Sequence, residues 1–152
     1  MVTCVYKLKF YRSSFDLNDD YERLSEHEKE RIAELDAETY FDYDDDDDCY
    51  VCYVITKPME IENYLRILRS NLIDCDCKDL SSDILIHKVD LVEELRHLVS
   101  ATNQIKWSFF IDDLDEWILN HLDIDMVLDR ISEIGINSLT EIEKQFLKTY
   151  NI

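Results

Sequence analysis

Gly135 is the one glycine in this chain of 152 residues. Average usage of about 7% would supply roughly ten. Glycine lets a backbone turn through positive φ and come close to a phosphate, so its scarcity removes whole classes of fold and chemistry. The dinucleotide fingerprint GxGxxG and the phosphate loop GxxxxGK[ST] each need two or more glycines, and neither is present. The GxSxG nucleophile elbow is also absent. A single proline, Pro58, leaves the connections polar rather than rigid.

The elements must then be written by side-chain periodicity. Val2, Cys4, Tyr6, Leu8 and Phe10 alternate with Thr3, Lys7 and Lys9, which predicts a half-buried strand over 2–11. Residues 12–24 read as a polar loop. Ser25 and Glu28 stand at capping-box spacing and open a predicted helix that runs to about Glu38. A hinge of aromatics and aspartates over 39–48 follows. Cys49 to Ile55 is apolar on both faces and predicts a central strand. Pro58 suits a first helical turn, and Ile61, Tyr64, Leu65, Leu68 and Leu72 continue at helical spacing, so 58–72 is a core-facing helix.

Ile84 to Val89 is a β-branched run and predicts a third strand. Asp90 and Glu93 form a further capping box ahead of a helix over 91–101. Phe110, Leu114, Trp117, Ile118 and His121 share one side of a helix over 109–122. In the tail, Ile124, Val127, Leu128, Ile131 and Ile134 form a stripe that ends at Gly135, where glycine suits a helix C-terminus. Thr140 with Glu143 caps a last helix bearing Ile142, Phe146, Leu147 and Tyr150.

This order predicts an α+β fold, or a small α/β one: about three strands covered by helices, with a C-terminal helical hairpin. The length suits one domain. A division near residue 123 would set an α+β part, 1–122, beside a helical pair, 123–152, packed on it or appended to it.

The tail carries a resemblance. Leu128-Asp-Arg130-Ile131 through Gly135 to Ser138-Leu139-Thr140 and Glu143-Lys-Gln-Phe146-Leu147 follows the pattern L-x-K-I-x-x-x-G-x-x-S-L-T-x-x-E-x-x-F-L. Segment 126–147 thereby resembles a short helix–Gly–helix module that closes otherwise unrelated bacterial proteins, some rhomboid-type membrane proteins among them. Arg130 stands where that pattern has lysine. The resemblance implies a bacterial source and a packing or docking module, and it implies no reaction. The preceding residues fall outside it.

Charge is the other asymmetry. Between Asp16 and Asp48, 16 Asp/Glu meet three basic residues, Arg23, Lys29 and Arg31, so that −13 of the chain's −19 lies there. Such a field repels nucleic acid and anionic membrane and attracts basic partners or cations. The residues expected to meet a basic protein are Asp44, Asp45, Asp46, Asp47 and Asp48, supported by Asp19, Asp20, Glu22, Glu34 and Glu38. The expected function is non-catalytic: an inhibitor, a nucleic-acid mimic or an adaptor that docks a basic partner through this surface. A second copy of the chain, joined through the C-terminal helices, is a further candidate partner.

The alternative is metal. Calcium or magnesium would use the Asp run, although consecutive aspartates without a glycine miss the calcium-loop spacing. Zinc would use Cys49, Cys52, Cys75 and Cys77. Against zinc, Cys49 and Cys52 point to opposite faces of a strand, and the second pair is C-x-C. No cofactor is expected. His27, His87, His97 and His121 are scattered, and neither Glu93 with His97 nor Cys52 with His87 makes a complete catalytic set. The aromatics Trp107, Phe109, Phe110 and Trp117 lie among acids rather than bases, which suits a core or a protein contact and disfavours base stacking. The N-terminal residues read as a strand rather than a leader, and five cysteines with no disulfide spacing suit a reducing compartment, so the cytoplasm is the expected location. No apolar run is long enough to span a bilayer.

Overall fold

The computed structural model describes residues 2–11, 19–36, 40–44, 49–85 and 104–150. Four strands form one sheet: β1 (Cys4–Phe10), β2 (Tyr40–Asp44), β3 (Cys49–Thr56) and β4 (Asp76–Asp79). Their order is β2-β3-β1-β4, and every pairing is antiparallel. The α-helices are α1 (Glu26–Asp36), α2 (Pro58–Ser70), α3 (Ser81–Leu85), α4 (Gln104–His121), α5 (Ile124–Ile134) and α6 (Glu141–Tyr150), with a 3-10 turn (Ile136–Ser138) between the last two. A wholly antiparallel sheet with helices makes this an α+β fold.

The two-sided apolar pattern of β3 explains the layering. Cys52 and Val54, with Tyr6, Leu8 and Phe10 of β1, meet Ile32 and Leu35 of α1 and Ile61, Tyr64, Leu65 and Leu68 of α2. On the opposite face Val51, Tyr53 and Val5 meet Leu80, Ile84, Phe110, Leu114 and Trp117. Each fully buried large apolar side chain contributes roughly 1.5–3 kcal/mol relative to exposure, so both layers stabilise the sheet. Strand β1 is therefore covered on both faces rather than half-buried as its alternation predicts. Lys7 on the second face is accommodated with its Nζ 5.8 Å from the centre of the Tyr53 ring. Trp117 fastens α4 to the sheet by donating its Nε1–H to the Thr3 carbonyl at 3.1 Å.

The C-terminal pair packs through Leu122, Val127 and Leu139, with Ile118 of α4 and Phe146 and Leu147 of α6 against them. Asp123 caps α5 by accepting from the Met126 N–H at 2.8 Å. Thr140 and Glu143 form the reciprocal box at the start of α6, at 3.0 and 3.2 Å.

Four segments differ from the sequence reading. The expected hinge over 39–48 contains strand β2. The expected strand over 84–89 begins as the end of α3, and residues 86–89 lie outside those described, as does the expected helix over 91–101. The fourth strand, β4, lies in a segment with no apolar alternation, Asp76-Cys-Lys-Asp79, exposed along its whole length. Within the expected loop, residues 19–22 form a helical turn.

Candidate functional site

The acidic segment reaches the surface on α1. Its capping box is closed on both sides: the Ser25 N–H donates to Glu28 Oε1 at 3.0 Å and the Glu28 N–H to Ser25 Oγ at 3.1 Å. Glu28 Oε2 also accepts from Asn71 Nδ2 at 3.0 Å, which ties the start of α1 to the end of α2. The Ser25 N–H, above all, and the Asn71 amide hold the Glu28 carboxyl below the ordinary glutamate range.

With Ile32 and Leu35 turned inward, Glu26, Glu30 and Glu34 fall on the exposed side at i, i+4 and i+8. Lys29 answers the first of these and Glu22, at 3.7 and 3.6 Å. Among the described residues no ion pair engages Glu30 or Glu34. The structure thus separates the acids expected to meet a partner. Asp19, Glu22 and Glu34 are exposed. Asp20 is not: it is 3% exposed, and its Oδ1 accepts from Arg23 Nη2 at 2.6 Å, so it serves the fold. Asp44 ends β2, the sheet edge, paired with Cys49. Glu38 and Asp45 to Asp48 lie outside the described residues. Glu26 and Glu30, which the sequence reading did not single out, are recognisable only once the inward face of α1 is known.

Among the described side chains, the zinc candidates Cys52, Cys75 and Cys77 do not form a ligand set. Cys52 and Cys77 both pair with Leu8, from opposite sides. That sets them two strand spacings apart, about 9.5 Å, against zinc–sulfur bonds of about 2.3 Å. Among the described residues no group of three or more His, Cys, Asp or Glu is placed to hold a metal. Burial, then the charges at Cys77 and Asp76, push the Cys75 thiol up to about 12, so it is a poor thiolate ligand and a poor nucleophile. Tyr6 is held protonated by burial and by its bond to Cys4. His121 stacks on Trp117 at 4.4 Å between ring centres, and its Nδ1 lies 2.8 Å from the Trp117 carbonyl, a packing role. His87 and His97 lie outside the described residues. Of the aromatic group, Phe110 and Trp117 are core.

A cavity of about 320 Å³ opens between α1, the end of β3 and the start of α2. Arg31 and Glu34 reach it from α1, Lys57 and Glu60 from the start of α2, and Thr56 from β3. No helix among the described residues is long and apolar enough to cross a membrane.

No protein-family model, no curated protein and no solved structure matches this chain.

Proposed function

We propose that the protein works by protein–protein contact, docking a basic partner on the acidic face of α1, with the sequence run Asp44–Asp48 adding to the negative charge it meets. The observation that supports this is the row Glu26, Glu30 and Glu34, exposed on one side of α1 with no counter-ion among the described residues for the last two. Like charges at i, i+4 destabilise a helix, so the row works against the stability of the element that carries it. A basic surface laid along it relieves that repulsion, giving fast and salt-sensitive association. Asp44 ends the edge strand β2, and Asp45 to Asp48 follow it in the sequence. An inhibitor covering a basic, nucleic-acid-binding surface is the concrete form of this reading, in a bacterial cytoplasm, with the tail pair as a packing module.

The experiment is capture from bacterial lysate by the immobilised protein and by its Glu26→Gln/Glu30→Gln/Glu34→Gln variant, with elution in about 1 M salt, where the screening length falls to about 3 Å. A basic protein retained by the parent and lost by the variant supports the reading. Equal retention by both refutes it.

A further inference from the structure

Three features meet in the cavity between α1 and α2. First, Thr56 is 7% exposed and follows Cys52 and Val54 on the strand face that packs on α1 and α2, so its side chain is directed toward the cavity it lines. Among the described residues its hydroxyl has no hydrogen-bond partner. Second, α2 begins without a side-chain cap: Lys57 makes no capping bond, and Pro58 follows with no N–H to offer. An uncapped helix start carries positive partial charge and favours an anion, and Lys57 and Arg31 add to it. Third, Glu34 and Glu60 line the same cavity. None of these four charged side chains forms an ion pair among the described residues.

The cavity is therefore lined by two cations, two carboxylates and the hydroxyl of the buried residue Thr56. A neutral ligand leaves both signs of charge unanswered. A plain anion meets the repulsion of two carboxylates, and a plain cation that of Lys57, Arg31 and the helix start. A small zwitterion answers both. The volume lies at the lower end of small-ligand sites, about 300–1,000 Å³, which suits a single amino acid and is small for a nucleotide.

We propose that this cavity binds a free α-amino acid. Its carboxylate lies toward Lys57, Arg31 and the start of α2, where the Thr56 hydroxyl donates to it. Its ammonium lies toward Glu34 and Glu60. Glu34 also belongs to the acidic face, whereas Lys57, Glu60 and Thr56 belong to the cavity alone, so their variants test this site and leave the partner surface intact.

The test is amide-resolved NMR of the labelled protein titrated with common α-amino acids one at a time at millimolar concentration, beside the matching amines and carboxylic acids that keep only one pole. At least one amino acid shifts the Thr56, Lys57 and Glu60 amides saturably. Its one-pole analogues bind about tenfold more weakly, as does the protein carrying Lys57→Gln, because each loses a charged hydrogen bond. Thr56→Val weakens binding by a smaller factor. Lys57 and Glu60 are exposed, so Glu60→Gln gives a second variant that leaves the core untouched. If no amino acid shifts these amides, or if the one-pole analogues or the glutamine variants bind as well as the parent pair, the proposal is overturned.

Discussion

Leu72 sits at φ +58°, among the described residues the one non-glycine in the left-handed region. Its place explains why. The Ile73 N–H donates to the Leu68 carbonyl at 2.9 Å and the Leu72 N–H to that of Arg69 at 3.1 Å. These bonds are those of a Schellman motif closing α2, with Leu72 at the position glycine usually holds, and buried Ile73 packs in the same core cluster as Leu68. A left-handed L-residue costs roughly 1–2 kcal/mol. The Leu72 side chain is 83% exposed, so it recovers at most about 0.5 kcal/mol by packing. Leu72→Gly removes the backbone cost, and the extra freedom of glycine in the unfolded chain takes back about 0.5–1 kcal/mol. The net effect is a gain of a few tenths to about 1 kcal/mol, or a rise in Tm of about 1–4 °C for a chain of this size. Leu72→Asn should hold or gain slightly, because asparagine tolerates this region, and Leu72→Val should lose, because β-branching does not. Urea unfolding of the four proteins reads the order Gly, Asn, Leu, Val. A valine variant as stable as the parent, or a glycine variant less stable than it, would refute the reasoning.

Gly135 has φ +83° and ψ 157°, a region that only glycine occupies freely, and an added Cβ would meet nothing within 4 Å; Gly135→Ala should therefore lose about 1–2 kcal/mol by backbone strain alone, measured as a lower urea midpoint. Glu28 has a lowered pKa in the fold, so the stability it adds is complete above the ordinary glutamate pKa and is lost as pH falls through the lowered value; the stability gap to Glu28→Gln should be widest near neutral pH and shrink toward acid, and a pH-independent gap contradicts this. Cys75, which burial above all pushes up to about 12, should alkylate far more slowly at pH 8 in the folded protein than in denaturant; mass-resolved labelling with equal rates in both would count against it.

The parts of the fold legible in the sequence were those written locally. Ser25 with Glu28 and Thr140 with Glu143 each form the box their spacing implies, and the two-sided apolar run of β3 places it inside the sheet, between β2 and β1. The parts that were not legible depend on partners distant in sequence. Strand β4 carries no apolar signal because it is an edge whose charges keep it from pairing further; it exists through its register with β1, Lys7 opposite Lys78. In β2 the aspartates obscured the strand preference of Tyr40, Phe41 and Tyr43. Ile84 reads equally as strand or short helix; the deciding signal was Asp79, whose Oδ1 accepts from the Ser81 N–H at 2.9 Å at the start of α3. The candidate surfaces divide the same way. Net acidity was plain in the sequence, yet only the packing of Ile32 and Leu35 reveals that Glu26, Glu30 and Glu34 share the free side of α1 while Asp20 is spent on Arg23. The cavity joins Arg31 to Lys57 and Thr56 across the chain, which no local pattern encodes.

The central claim is that the acidic row of α1 is a docking surface. The most direct measurement is the affinity of the captured basic protein for the parent and for Glu26→Gln/Glu30→Gln/Glu34→Gln, by titration calorimetry across a salt series. The account predicts an affinity that falls steeply with salt for the parent, and both a weaker affinity and a shallower salt dependence for the variant. Equal affinities with equal salt dependence would contradict it.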